Sequence, residues 1–495
     1  MTATTADDAP AVRRDSVLWV VAIVAIVAGA IGRLWISLGP LGVLNADEVV
    51  SGLMARALLD GDASAFFWGQ SYGGAAEVVP MAIVMAVAGG SVAMTVIPLL
   101  EWAVIAVLVH RLARRRLEPA AALAVVGLVA VFPASAVWFS TRPMLFYQPV
   151  IICGLVALLL TERLAERRRH WVEWVAFGVA LGLGWWTSAQ VAFFAVPAVY
   201  WLLTRRAVRS WRDAAAAVGG TVVGALPWLI TRVRGTSGAA LPEGDGSYAD
   251  HLVAQLRRGW PMTFGARRPF DERWLIGGAG WVLALVCIAA TVAVVVQFVR
   301  HRELRSPLAG VLLTFPLLQA LAPTGSFVGN GRYYVFVVPS LAYAVVGSVT
   351  VVRRSGVVLA GLIGAAALLT AVALIDLRDV QFGPDHTGDV AAALDDLGVR
   401  HIYGDYWVVY PLAWADDDLV VAPDTTDRRA DWSAEVRDAP RAAYVFWLPY
   451  GVDAARYERL RPLLERAGIT EEVTVGEYRI IVPATNLAPE SLPTG

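Results

Sequence analysis

A chain of 495 residues that is 57% hydrophobic and only 17% charged, with a mean hydropathy of +0.58, departs from the composition of water-soluble domains, which run nearer ~45–50% apolar and ~25% charged. A formal net charge of −1 gives no electrostatic basis for nucleic-acid binding. The basic residues are all arginine, a coding bias more than a chemical signal, and the two cysteines, Cys153 and Cys287, lie in apolar runs and read as small core residues, so neither a disulfide nor a metal site is expected.

Residues 1–16 read as a cytoplasmic tail. Arg13 and Arg14 precede an apolar run over 17–38, which is long for a signal h-region and has no small-residue cleavage site after it, so it reads as an uncleaved first span. Further runs near the ~20 residues needed to cross hydrocarbon fall at 91–110, 120–139, 146–162, 172–187, 190–204, 213–231, 275–299, 307–322, 334–352 and 357–376. They make about eleven transmembrane helices in a membrane domain over 17–376. With the first span running from inside to outside, the arginine clusters at 111–116, 163–169, 205–212, 300–305 and 353–354 all fall in the cytoplasm, as the positive-inside rule asks. Arginines flank 172–204 on both sides, so that stretch is expected to cross twice. The apolar stretch 78–87 is too short to span and is stopped by Gly89 and Gly90. It reads as a juxtamembrane or re-entrant helix on the outer side.

This arithmetic leaves three segments outside: the loop 39–78, the segment 232–274 and the turn 323–332. The second carries seven arginines, for which lipid headgroups are the expected contact and a dedicated anionic ligand the alternative. From about residue 377 charge and proline return, and 377–495 reads as a small soluble α/β domain on the outer side. Its helices are expected at 389–397 and 456–466, and its strands at 400–403, 418–422, 443–447, 472–475 and 478–482. Asp405-Tyr406-Trp407, after the first strand, is its most suggestive local feature. Packing is the expected role for these aromatics, with sugar stacking as the alternative.

The residues able to carry chemistry collect on the same outer face. Asp47 and Glu48 follow the first span and open a helical stretch. Carboxylates at a helix start also complement its dipole, so a capping pair is the plain reading and a reactive pair the sharp one. The loop continues through Phe66, Phe67 and Trp68, aromatics suited to a membrane interface, into Gly69-Gln70-Ser71-Tyr72-Gly73-Gly74 and Glu77. Gln70, Tyr72 and Glu77 are candidate hydrogen-bonding groups for a polar ligand. Arg332 and Tyr333 lie just before an apolar helix with Pro339 inside it. A guanidinium there is suited to bidentate phosphate binding, or else to snorkelling toward headgroups. Arg142, in Ser140-Thr141-Arg142-Pro143, carries the same two readings.

These motifs resemble the GT-C superfamily of lipid-dependent glycosyltransferases, in the branch of the protein mannosyltransferases and aminoarabinose transferases. The matching features are Asp47-Glu48 in the first outer loop, the Gly69–Gly74 stretch, and Arg332-Tyr333 before a helix with a downstream proline. Gly184-Trp185-Trp186-Thr187-Ser188 and Gly404-Asp405-Tyr406-Trp407 resemble a bacterial subgroup with a C-terminal extracytoplasmic domain. The resemblance implies a polyprenyl-phosphate sugar as donor and a hydroxyl on a glycan, lipid or protein as acceptor. It implies Asp47 as the base, Glu48 as a group that orients the acceptor or supports Asp47, and Arg332, with Arg142 second, as the cation at the departing phosphate. No cofactor is implied, and two adjacent carboxylates leave divalent-metal dependence undecided. The further loop motifs usual in the protein mannosyltransferases are missing, which puts protein as acceptor in doubt.

Two other classes remain. A transporter or flippase of polar lipids calls for buried mid-span charge and repeated halves; Glu101 is the charge that fits, and no repeat is visible. A non-catalytic glycan-binding membrane protein retaining the same fold is the third.

Overall fold

The computed structural model describes residues 9–166, 170–235, 245–268, 273–275, 277, 280–352, 355–378, 380 and 383–489. The arginine clusters expected at 167–169 and 353–354, and residues 236–244 and 269–272 of the segment 232–274, lie outside the described residues. Among the described residues five helices are long and apolar enough to cross a membrane: Ser16–Leu38, Gly90–Ala113, Gln148–Glu166, Gly331–Thr350 and Ser355–Leu377. Shorter apolar helices at Val78–Ala88, Pro119–Val131, Ala189–Thr204 and Pro307–Leu321 pack among them. The chain is a multi-pass membrane protein.

The apolar runs fall on helices, of which, among the described residues, five, or six with one bent pair, are long enough to cross, and two runs are broken. The run 213–231 is not one straight rod: Trp211–Gly224 and Leu226–Arg234 meet at 61°, where Gly224 is followed closely by Pro227, a residue pair that weakens helix continuity. The run 120–139 is divided at Phe132-Pro133 into Pro119–Val131 and Ala134–Phe139. The stretch 172–204 folds as two helices, Trp171–Thr187 and Ala192–Thr204.

Lipid offers no hydrophobic drive for helix pairing, so small residues decide where backbones approach. Gly178 and Gly182 on Trp171–Thr187 face Gly220 and Gly224 on Trp211–Gly224. A Cβ on Gly178 would stand 2.0 Å from the Ala217 carbonyl oxygen, and one on Gly220 would stand 2.2 Å from that of Val175. At the outer loop, Gly89 adopts φ +89° and separates Val78–Ala88 from Gly90–Ala113, as its place in the sequence suggested.

The C-terminal domain carries a five-stranded sheet. Its strands are β1 (His401–Gly404), β2 (Val420–Pro423), β3 (Ala443–Trp447), β4 (Ile469–Val475) and β5 (Tyr478–Pro483), in the order β2-β1-β3-β5-β4. β1 lies parallel to β2 and β3, while β5 runs antiparallel to β3 and β4. Two helices escape the sequence reading, Tyr406–Ala415 and Ala430–Asp438. The first is apolar all round because it is enclosed on nearly every side: Tyr406, Val408, Val409, Tyr410, Leu412 and Ala413 are all buried. Such a helix carries no amphipathic period.

That helix joins the two parts of the molecule. It packs on Ala46–Leu59, and Trp414 fills the space that side chains on Gly52 and Gly90 would otherwise occupy. Arg56 lies over the Trp414 ring at 4.6 Å and pairs with Asp417. Phe66, Phe67 and Trp68 are therefore not an exposed interfacial belt. They are 3%, 3% and 6% exposed, Phe67 lying under Arg428 and Trp68 against Arg429 and Trp432 of the C-terminal domain.

Candidate active site

Asp47 and Glu48 are adjacent but do different work. Asn45 caps the helix Ala46–Leu59: its side chain accepts from the Glu48 amide at 3.2 Å, and Glu48 Oε2 accepts from the Asn45 amide at 2.9 Å. This reciprocal box consumes Glu48 as a helix-start residue. Glu48 is 1% exposed and pairs with the equally buried Arg142, Nη1 to Oε2 at 3.2 Å. Burial raises the Glu48 carboxyl, outweighing the opposing pull of Arg142.

Arg142 is committed elsewhere than to a ligand. Its Nη1 donates to the Val43 carbonyl at 2.7 Å and to that of Gly42 at 3.3 Å, and its Nη2 donates to Leu41. The guanidinium lies over the Trp138 ring at 4.2 Å. With Glu48 it ties down the chain between the first span and the Asp47 helix.

Asp47, left outside the cap, is 30% exposed and points into a cluster drawn from three distant parts of the sequence. Its Oδ2 stands 3.6 Å from Arg332 Nη1, and its Oδ1 stands 3.7 Å from Arg428 Nη2. The Tyr406 hydroxyl donates to Oδ1 at 2.6 Å. Arg332 is steadied by Tyr333, whose hydroxyl accepts from Nη2 at 3.2 Å, and the Asn330 side chain accepts from the Arg332 amide.

Arg428 lies between Phe67 and Tyr406, 4.9 and 5.1 Å from the ring centres. With its amide oxygen turned inward, Gln70 accepts from Arg428 Nη1 at 2.7 Å and from the Tyr72 hydroxyl at 3.2 Å. Burial raises the Tyr72 phenol, and burial together with the Asp47 charge raises that of Tyr406, so both stay protonated as donors. Gly69, at φ +69°, lets this loop pass under the C-terminal domain: a Cβ there would lie 2.8 Å from the Asp427 carbonyl oxygen. Next to Arg428, Arg429 lies over Trp68 and Trp432 and pairs with Asp62 at 2.8 Å and Asp431 at 2.6 Å.

The structure thus brings together Asp47, Arg332, Tyr333, Gln70 and Tyr72. It keeps Glu48 and Arg142 beneath the site as a buried brace. Glu77 sits apart: it is 1% exposed and neither carboxyl oxygen has a hydrogen-bond partner in the structure. Its charge and that of Glu101 act on one another. Sequence reasoning missed Arg428 altogether and gave Tyr406 a packing or sugar-stacking role, without its bond to Asp47. No local pattern marks Arg428; the gathering of two arginines on one carboxylate exists only in the fold. Among the described residues no group of three or more His, Cys, Asp or Glu side chains is placed to hold a metal ion.

A carboxylate held between two guanidinia and a phenol can accept a proton from a hydroxyl brought beside it. The same guanidinia offer forked donors to the oxygens of a phosphate. Comparison with known proteins bears on this arrangement. The crystal structure of ArnT from Cupriavidus metallidurans bound to undecaprenyl phosphate superposes with a TM-score of 0.63 at 13% identity, covering 95% of this chain and 99% of that one. The chain is built on the GT-C fold. The apo oligosaccharyltransferase of Archaeoglobus fulgidus matches at a TM-score of 0.51 and 13% identity, over 86% of this chain and 69% of that one. AglB from the same organism, in complex with an inhibitory peptide and a dolichol-phosphate, matches at 0.50 and 12% over 96% and 75%. A family model described as dolichyl-phosphate-mannose-protein mannosyltransferase matches residues 80–230, a stretch that contains Arg142 but neither Asp47, Arg332 nor Arg428. No curated protein matches the sequence. The GT-C resemblance read from the motifs stands at the level of the fold.

Proposed function

We propose that this chain is a glycosyltransferase that moves a sugar from a polyprenyl-phosphate donor to a hydroxyl acceptor at the outer face of the membrane, with inversion at the anomeric carbon. The observation that carries the reading is the Asp47 carboxylate standing within 3.6 Å of Arg332 and 3.7 Å of Arg428. The acceptor oxygen attacks the anomeric carbon from the side opposite the phosphate. Its proton passes to Asp47 as the new glycosidic bond forms and the sugar–phosphate bond breaks. The electron pair of the broken bond leaves on the lipid phosphate, where Arg332 and Arg428 stabilise the growing negative charge. A phosphate is a good leaving group, so no general acid is required. A single base acting in line gives inversion.

Tyr406 and Tyr333 are positioning residues in this scheme, one holding the Asp47 carboxylate and the other the Arg332 guanidinium. Gln70 and Tyr72 hold Arg428. That ArnT binds undecaprenyl phosphate and AglB a dolichol-phosphate supports a lipid-phosphate donor. The test is a panel of polyprenyl-phosphate sugars added to the purified chain. One of them is expected to raise its melting temperature and to yield transferred sugar with a hydroxyl acceptor; stabilisation by none of them would sink the reading.

One observation favours a second reading, polar-lipid transport. Glu101 lies inside the helix Gly90–Ala113, with one carboxyl oxygen unpartnered and Glu77 beside it. Loss of lipid flux in Glu101→Gln, with flux intact in Asp47→Asn, would decide for it.

A further inference from the structure

A second cavity, of about 460 Å3, lies far from Asp47 and is lined by five arginines, Arg115, Arg116, Arg205, Arg302 and Arg305, together with Trp201 and two glutamates. Its position follows from the helix Gly90–Ala113. Gly90, at the start, meets Trp414 of the C-terminal domain, and Arg115 and Arg116 follow the other end. Twenty-four residues at ~1.5 Å each make ~36 Å, more than the ~30 Å of a bilayer's hydrocarbon. The cavity therefore sits at the opposite membrane interface from the candidate active site.

Its charge is not balanced. Arg116 pairs with Glu162 at 2.6 Å, and Arg115 with Glu166 at 2.7 Å, which consumes both carboxylates. Arg205 lies over the Trp201 ring at 4.7 Å, and Arg305 donates to the carbonyls of Phe298 and Val299. Among the described residues, no ion pair joins Arg205, Arg302 or Arg305 to a carboxylate. Among the described residues, Arg205, which also feels the Glu162 charge, Arg302 and Arg305 thus bring positive charge to one concave space. Membrane topology explains arginines at this end of the helices. It does not explain why helix ends from four parts of the chain enclose a cavity and leave it cationic.

The surroundings select the ligand. Leu203 and Val299, beside the arginines, are 62% and 65% exposed, as suits side chains turned toward acyl chains. The geometry points to a binding site for an anionic phospholipid, its phosphate among Arg205, Arg302 and Arg305 and its chains along the apolar surface of Leu203 and Val299. Basic pockets between membrane helices are suited to such headgroups. The site is independent of the proposed transfer reaction and makes no contact with Asp47.

The test uses the full chain in detergent, with a phosphatidylglycerol probe and a phosphatidylcholine control, followed by native mass spectrometry and a fluorescent-lipid titration. The wild type is expected to retain phosphatidylglycerol over phosphatidylcholine. The double variant Arg205→Gln/Arg302→Gln is expected to bind it about tenfold more weakly, and Arg209→Gln, outside the cavity, to bind as the wild type does. Unchanged retention in the double variant would overturn the site. Complete displacement by millimolar inorganic phosphate would overturn the lipid assignment in favour of a soluble anion. Should the double variant not elute as a folded species, the exposed Arg302→Gln alone decides: a severalfold loss supports the site and no loss overturns it.

Discussion

The phenolic hydroxyl of Tyr406 donates a 2.6 Å hydrogen bond to Oδ1 of Asp47, joining residues 359 positions apart. The soluble domain therefore reaches into the membrane domain at the carboxylate assigned as base. A hydrogen bond to a charged group contributes ~1.5–3 kcal/mol, and most of that would be lost on removing the hydroxyl. Tyr406→Phe keeps the ring that packs on Trp407 and Tyr410. Its kcat is expected to fall about tenfold or more, with the donor KM little changed. Steady-state kinetics on the purified variant would check the split; an unchanged kcat would remove Tyr406 from the site.

Arg428 is assigned to the donor phosphate together with Arg332. Truncating it to alanine is expected to raise the donor KM by ~10–100-fold, the scale of a charge-assisted hydrogen bond. Arg428→Lys should recover only part of that loss, because an ammonium cannot reproduce the fork held by Gln70. A KM unchanged in Arg428→Ala would leave Arg332 as the sole phosphate ligand.

Glu48 and Arg142 form a buried brace, so their substitutions should be read in stability. Arg142→Met strands the Glu48 carboxyl and frees the Leu41, Gly42 and Val43 carbonyls. It is expected to cost ~3–5 kcal/mol, seen as a lowered melting temperature in detergent. Glu48→Gln retains a capping side chain and should cost less. In both, the folded fraction is expected to keep its donor affinity; a lost affinity at unchanged melting temperature would return Arg142 to the substrate-binding set.

A pH dependence belongs to the C-terminal domain. Burial raises both Asp424 and Asp453 to about 6, against the pull of Arg456, which pairs with each. The folded chain holds these protons to higher pH than the unfolded chain does. Their contribution to stability is therefore complete below the ordinary value of 3.8 and is lost as pH rises through about 6. At about pH 7.5 both are charged, and Arg456→Gln should cost ~3–5 kcal/mol. At about pH 5 the cost should be clearly smaller. Calorimetry of the full chain and variant at the two pH values would check the difference, and an equal cost at both would contradict it.

What could be read from the chain follows the range of the forces involved. Apolar runs report burial in lipid directly, and alternation reports strands, so the spans and all five strands were visible. Asp47 and Arg332 could be placed on one face because loop arginines order the crossings. The burial of Glu48 against Arg142 could not be read, because Arg142 arrives from another loop. Tyr406 packs as expected, but its hydrogen bond to Asp47 and the place of Arg428 were unseen, since each gains its meaning from a partner hundreds of residues away. Phe66, Phe67 and Trp68 were taken for an interfacial belt for the same reason: the domain that buries them is the last part of the chain.

The central claim is that Asp47 takes the acceptor proton. Asp47→Asn conserves size and still accepts from Tyr406, but it cannot act as a base. Measured in membranes with matched protein level and a polyprenyl-phosphate sugar that stabilises the wild type, its transfer rate is expected to fall by ~10²–10⁴-fold while the donor still raises its melting temperature. Transfer at the wild-type rate would contradict the assignment.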